Sequence, residues 1–300
     1  MLPQSITSSP APTPIPPLTM GKFKASKAIV EQSWAILMKD KEIMLFPIVS
    51  VVVSTVAVIV MIAVYYFMIL GGSMPSAQHA GDNQNVLSYV VLFIYYFVMF
   101  FIVNFFQAGI YIIVHARFNG RDMNFNDGIR GAMQNINKIF VWSLISATVG
   151  VILQFIANQS KLIGKVVAWL FGAAWNILTY FSLPSLIIGQ TTVENSFKDS
   201  ASIIRKTWGE TIIVNIGVGL FFGLLMLVGF LFGIIAIILV PDPFMIFTII
   251  LLLIIYCVVL MIISASLGAI FKLALYEYAR TGITPRGFSS ELIQHAIKAK

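Results

Sequence analysis

Four amide side chains stand out because each interrupts a long apolar stretch of the chain. Asn104 and Gln107 are three residues apart and share one face of a predicted helix, while Asn176 and Asn215 come from later stretches. Amides in such surroundings either hydrogen-bond to a neighbouring helix or line a polar cavity that binds or conducts a solute. Hydrogen bonding is the simpler interpretation, and the cavity stays open as the alternative.

Groups that catalyse covalent reactions are few and scattered. His79, His115 and His295 fall in an outer loop, at the end of an apolar stretch and near the C-terminus, which disfavours a shared metal site. Four carboxylates could converge at one end of the fold, but they belong to segments in which solvated charge is expected: Asp122, Asp127, Glu194 and Asp199. The sequence therefore predicts neither an enzyme nor a bound metal or cofactor.

Six long apolar runs must position the amides. The composition of 59% hydrophobic and 10% charged residues is far from the roughly 25% charged residues of soluble domains. A bilayer core of about 30 Å needs roughly 20 helical residues, and the alternation of barrel strands is missing. These features predict an all-α, polytopic membrane protein with six transmembrane helices. The runs cover residues 43–70, 86–114, 139–157, 162–188, 211–240 and 244–275.

Only two charged side chains fall inside these runs. Lys165 and Lys272 each lie near the end of a run, from which a lysine can extend its stem to the membrane interface. No ionisable group is therefore expected deep in a span. This disfavours transport coupled to protons or sodium and leaves a passive conduit as the transport alternative.

The basic residues predict the orientation of the chain. All Lys and Arg except Lys161 and Lys165 precede the first span, separate the second from the third, precede the fifth, or lie at or after the end of the sixth. Basic flanks stay in the cytoplasm, so both termini are expected there, with the protein in the cytoplasmic membrane. These charges favour anionic lipid headgroups by about 1 kcal/mol each. Their dispersal over four segments disfavours nucleic acid as a partner.

Amphipathic stretches alternate with pairs of spans. Residues 22–42, 124–138 and 193–208 each place apolar side chains at helical spacing, which is typical of helices on the cytoplasmic-side interface. Trp34 and Trp208 are the expected interfacial anchors. The pattern predicts three copies of an interfacial helix plus a transmembrane hairpin, at about 21–120, 121–190 and 191–278.

The two ends of the chain differ from this pattern. Residues 1–20 are rich in proline and predict a disordered tail, and translation could begin at Met1 or at Met20. Residues 279–300 carry apolar side chains at helical spacing and predict a C-terminal amphipathic helix.

Small residues and a proline indicate how the spans pack. The fifth span contains two small-xxx-small pairs, which allow close approach by a neighbouring helix of the same chain or of a second copy in a homo-oligomer. Pro184 is expected to kink the fourth span. The glycine pairs are Gly219 with Gly223 and Gly229 with Gly233.

Several short motifs resemble those of a known family. The motifs are Ser33-Trp34, Lys39-Asp40-Lys41-Glu42, Phe46-Pro47, Ala174-Trp175, Tyr180-Phe181, Pro184, Ser196 and Thr207-Trp208-Gly209-Glu210. Together they resemble a group of prokaryotic integral membrane proteins classified as a domain of unknown function, over residues 21 to about 278. The resemblance implies a six-span fold and no known activity. The alternation of interfacial helices and hairpins is more faintly similar to the membrane domain of glycerophosphodiester phosphodiesterases, whose catalytic domain this sequence lacks.

The sequence thus predicts a non-enzymatic membrane protein that acts as a membrane-organising or interaction module. The alternative is a non-coupled channel or a transporter of lipid or a small solute. These classes differ in whether the four amides contact a solute.

Overall fold

The computed structural model describes residues 22–69, 82–159, 162–206, 210–290 and 293, and within them it contains helices and no strand. A short 3-10 helix, Lys41–Met44, joins the first two α-helices. The α-helices are α1 Lys22–Lys39, α2 Leu45–Ile69, α3 Asp82–Phe118, α4 Phe125–Gln134, α5 Ile136–Asn158, α6 Ile163–Leu178, α7 Ser182–Ile187, α8 Val193–Lys206, α9 Glu210–Leu239 and α10 Pro243–Thr281.

Six helical segments are long and apolar enough to cross a membrane. This confirms the prediction of an all-α protein with six spans, and the molecule is a multi-pass membrane protein. The segments are Lys41–Phe67, Tyr89–Phe118, Ile136–Asn158, Ile163–Ile187, Phe221–Leu239 and Pro243–Thr281.

Burial divides the bundle into two ends. In α2 and in the first half of α10, large apolar side chains such as Ile59 and Phe247 are more than half exposed, as suits contact with hydrocarbon. At the opposite end, Tyr111, Phe181 and Tyr276 are fully buried in one core. We call this packed part the collar end; it consists of α1, the 3-10 helix, α4, α7, α8, the last turns of α3 and α10, and residues 282–289.

Phe46 locks α2 to α3 and α4 at the collar end. Its ring is fully buried and lies 4.6 Å from the ring of Phe125, measured between centroids. A Cβ atom added at Gly109 would lie 2.2 Å from this ring, and one added at Gly128 would lie 2.5 Å from it. Only glycine therefore leaves room for Phe46 at these two positions.

Gly109→Ala is expected to destabilise the protein by about 1–3 kcal/mol, because the new methyl group must displace the buried Phe46 ring. Gly268→Ala is the matched control, since a Cβ there meets no atom of the described residues within 4 Å and alanine favours helix. Thermal unfolding in detergent measures both. Equal midpoints for the two variants would contradict this packing.

An ion pair joins the end of α1 to the end of α3. Arg117 Nη2 lies 2.8 Å from Asp40 Oδ2 and 2.7 Å from Asp122 Oδ1. The side chain of Asp40 is only 5% exposed, whereas that of Asp122 is 84% exposed. Arg117 therefore neutralises one buried carboxylate and makes a second contact at the surface.

The fourth span consists of two helices, α6 and α7, separated by a short break. Pro184 has no N–H, and its ring excludes the carbonyl four residues earlier, at Tyr180, so the helix is interrupted before the proline. The N–H of Phe181 donates instead to Ser200 Oγ of α8, at 3.0 Å. The predicted kink is thus a break, which a collar helix stabilises.

The glycines of α9 divide into two pairs with different surroundings. Gly229 and Gly233 face α10, where the ring of Tyr256 packs on Gly229 and its hydroxyl donates to a carbonyl of α9 at 2.7 Å. A Cβ at Gly219 or Gly223 would meet no described atom within 4 Å. The described residues thus leave open space beside Gly219 and Gly223, and packing of a second copy against this pair stays a prediction.

Several predicted segments lie partly or wholly outside the described residues. Residues 1–20, Trp208 and most of 291–300 are among them. The sequence predicts a separate amphipathic helix over residues 279–300, but residues 279–281 are the last residues of α10. α10 is capped by Gly282, which is in the left-handed conformation with φ 71°. Residues 282–289 form no helix. A helix outside the six candidate spans precedes each pair of span segments: α1 comes before α2 and α3, α4 before α5 and the α6–α7 segment, and α8 before α9 and α10. Whether these are repeats stays a prediction.

Candidate functional site

A cavity of about 340 Å³ lies among α3, α5, α6, α7 and α10. This volume is at the lower end of the roughly 300–1,000 Å³ of small-molecule sites. Three of the four predicted amides, Asn104, Gln107 and Asn176, line it together with Lys272. The fourth, Asn215, is in α9, and its side chain lies outside the described residues.

The three amides differ in how they are bound. Asn104 is 8% exposed and donates from Nδ2 to Ser143 Oγ of α5 at 3.1 Å, which is a hydrogen bond between helices. Gln107 is half-buried and Asn176 is exposed, and neither side chain makes a hydrogen bond within the described ranges. Asn104 therefore makes the hydrogen bond between helices that is the simpler interpretation of the sequence. Gln107 and Asn176 instead have hydrogen-bond donors and acceptors available in the cavity.

Lys272 brings a positive charge to the cavity, which the sequence interpretation missed. α10 continues for more than two turns beyond it, and the residues on either side of it in the sequence, Phe271 and Leu273, are buried. That its stem extends to the membrane interface stays a prediction. Lys272 Nζ lies 4.4 Å from the centroid of the Tyr180 ring. No carboxylate of the described residues lies within 4.0 Å of this nitrogen.

An aromatic cluster joins the cavity to α8. The rings of Trp142 and Trp175, which both line the cavity, stack with centroids 6.3 Å apart and an interplanar angle of 12°. Phe197 of α8 packs against both, at 5.0 Å from Trp142 and 5.5 Å from Trp175. The apolar face that the sequence predicted for α8 thus covers these two cavity-lining rings.

Serine hydrogen bonds fix α7 against α8. Ser182 Oγ donates to the carbonyl of Ser196 at 3.4 Å, and Ser185 Oγ donates to Asp199 Oδ2 at 2.8 Å. These contacts hold the break in the fourth span, and with it Tyr180 under the ammonium of Lys272. These serine hydrogen bonds could not be predicted from the sequence, because the two residues in each bond belong to different helices.

The four carboxylates that could have converged each bind a separate structural partner. The pairs are Asp122 with Arg117, Asp127 with the backbone N–H of Asn124, Glu194 with Lys198, and Asp199 with Ser185. The hydrogen bond from Lys198 lowers the pKa of the exposed Glu194. Among the residues that the structure describes, no three His, Cys, Asp or Glu side chains are grouped as metal ligands.

The fold and the cavity define a multi-pass α-helical membrane protein whose bundle contains a polar cavity, with one lysine in the part of its lining that the structure describes. A family of unknown function (DUF6159) matches residues 86–287, and the chain belongs to this family. The matched range contains every residue that lines the cavity. No curated protein matches the chain. The fainter similarity to glycerophosphodiester phosphodiesterase membrane domains is not shown by this match.

Proposed function

We propose that the protein is an interaction module of the cytoplasmic membrane that binds the anionic head of an amphiphile, such as a membrane lipid, in the cavity. The observation that carries the proposal is the ammonium of Lys272, which faces a cavity without a carboxylate partner in the described part of the chain. Removing an ammonium from water costs several kcal/mol. The contact with the Tyr180 ring offsets about 0.5–2 kcal/mol of this, and an anionic ligand would supply the remainder.

The cavity favours a singly charged head. One ammonium neutralises one negative charge, and the amides of Gln107 and Asn176 add hydrogen-bond donors beside it. Because Asn176 is exposed on a span, the mouth of the cavity opens at the bundle surface, where lipid lies. A volume of about 340 Å³ admits a head but not two acyl chains. The chains would therefore remain in the bilayer.

The collar end is placed at the cytoplasmic face in this proposal, because most Lys and Arg flank the spans on that side. Trp34 of α1 is 40% exposed, while Leu37 of the same helix is fully buried in the core. Trp34 is thus available as an interfacial anchor while α1 braces the bundle. In this account the protein organises lipid and catalyses no covalent reaction.

A second candidate is passage of lipid or a small solute without ion coupling. The observation that favours it is that amides from two different spans, Asn104 and Gln107 on α3 and Asn176 on α6, line one cavity inside the bundle. A conduit needs the same polar lining as a binding site, together with an opening at each side of the membrane.

Replacement of Asn104, Gln107, Asn176 and Asn215 by Leu separates the two candidates. Gln107 and Asn176 are the two amides without a hydrogen bond in the described ranges, and at about 0.6 kcal/mol for each of them the variant is expected to retain anionic lipid roughly tenfold less well in native mass spectrometry of nanodiscs. Gln154→Leu is the matched control, because Gln154 lies on α5 but does not line the cavity. Lipid or solute flux through wild-type proteoliposomes that the variant abolishes would favour the conduit. Unchanged retention and unchanged flux would contradict both candidates.

A further inference from the structure

A second cavity, of about 350 Å³, lies at the collar end between α3, α10 and residues 282–289. Two arginines line it: Arg280 from the last turn of α10 and Arg286 from the segment that follows. Within the described ranges, no carboxylate lies within 4.0 Å of either guanidinium. Arg280 interacts with the hydroxyl of Tyr276, which also lines this cavity.

The segment that carries Arg286 is held on its C-terminal side by packing and by hydrogen bonds. Phe288 packs edge-to-face on Phe118 of α3, with ring centroids 6.1 Å apart. The N–H of Ser289 donates to Gln32 Oε1 at 3.1 Å, and Gln32 Nε2 donates to Ser289 Oγ at 3.3 Å. The guanidinium of Arg286 lies against Gly120, where a Cβ would come within 2.2 Å of Nη1. The backbone at Arg286 is therefore positioned by the fold, and its exposed side chain lies over Gly120.

The acidic residue of the cavity already has a partner. Glu277 Oε1 lies 2.5 Å from His115 Nδ1, so the carboxylate binds the imidazole and leaves both guanidinium groups free of it. Asn119, at the end of α3, adds an amide to the lining. The cavity thus contains two arginines and one carboxylate, and that carboxylate is already bound by a histidine.

We propose that this cavity binds a phosphate monoester through Arg280 and Arg286. A guanidinium group offers a planar pair of N–H donors that matches two oxygens of a phosphate, and two such groups neutralise a dianion. The site is distinct from the cavity around Lys272, which offers a single ammonium. The phosphate is carried either by the headgroup of a phosphatidic-acid-like lipid or by a soluble phosphorylated compound, since both present the same dianion at the end of the bundle.

The test compares full-length wild-type protein with Arg280→Gln/Arg286→Gln in phosphatidylcholine nanodiscs. One arm titrates inorganic phosphate at constant ionic strength by calorimetry; the other measures retention of phosphatidic acid, added to the nanodiscs, by native mass spectrometry. We expect wild-type protein to bind at least one of the two probes, inorganic phosphate or phosphatidic acid. The double variant is expected to bind that probe at least about tenfold more weakly. Arg130→Gln/Arg205→Gln is the matched control, because it removes equal charge from residues that are exposed, as Arg280 and Arg286 are, but lie outside the cavity.

If wild-type protein binds inorganic phosphate, the natural ligand is a soluble phosphorylated compound. If it binds only phosphatidic acid, the ligand is a lipid headgroup. Either result supports the site when the control variant binds as wild type does. Arg280→Lys/Arg286→Lys keeps both charges and guards against misfolding of the Gln variant. It is expected to bind more weakly than wild type because an ammonium lacks the planar pair of donors. Equal affinity of wild type, the Gln variant and the Lys variant in both arms would overturn the proposal, as would wild-type protein that binds neither probe.

Discussion

Lys272→Met is expected to weaken binding of a singly charged anionic lipid by about ten- to one-hundredfold. The reason is that hydrogen bonds to a charged group contribute about 1.5–3 kcal/mol, and each 1.4 kcal/mol is a factor of ten. Methionine is unbranched and apolar, so it occupies much of the volume of the lysine stem while removing the only cation that lines the cavity in the described residues. The substitution therefore tests the effect of the Lys272 charge on lipid binding with little change to the fold.

Lys165→Met is the matched control for this prediction. Lys165 is the other lysine inside a predicted span, is exposed on α6 and does not line the cavity. Retention of short-chain phosphatidylglycerol over phosphatidylcholine, measured by native mass spectrometry, compares the two variants with wild type. If Lys272→Met and Lys165→Met retained the anionic lipid equally well, Lys272 would not be its binding partner.

Arg117→Ala is expected to lower the free energy of unfolding by about 3–5 kcal/mol, because it leaves the carboxylate of Asp40 buried without its counter-charge. The side chain of Asp40 is only 5% exposed, so the guanidinium rather than bulk water provides most of the stabilisation of its charge. The loss would loosen the junction of α1, the 3-10 helix and α3 at the collar end. Thermal unfolding in detergent measures the change.

Two further variants show whether the buried pair causes this loss. Arg121→Ala removes an exposed arginine four residues away and is expected to change stability by no more than about 0.5 kcal/mol. Asp40→Asn combined with Arg117→Ala removes both charges and is expected to recover part of the stability, because no carboxylate is then buried. A double variant less stable than Arg117→Ala alone would contradict the role of Asp40.

The spans and part of the cavity follow from local sequence. Apolar runs of about 20 residues have few alternatives to membrane helices, and the fold contains the six that were predicted. The spacing of Asn104 and Gln107 places both on one face of α3, and the structure brings Asn176 to the same cavity. Helical periodicity fixes which side chains share a face, but it does not identify the facing helix.

The features that were missed depend on tertiary contacts. The position of Lys272 near the end of an apolar run does not reveal that its side chain lines a cavity with residues of α3, α5 and α6. The pairing of Arg117 with Asp40 joins positions far apart in the chain. The same holds for the fit of Phe46 against Gly109 and Gly128, since neither glycine is in a turn that would mark it.

The central claim is that the cavity around Lys272 holds an anionic head from the membrane. A density map of the protein in native-lipid nanodiscs tests it most directly. We predict non-protein density in the cavity, with a headgroup oxygen about 3 Å from Lys272 Nζ and an acyl chain that leaves past Asn176 into the bilayer. A cavity filled only by ordered water, or a Lys272 ammonium paired with a carboxylate of the protein, would contradict the account.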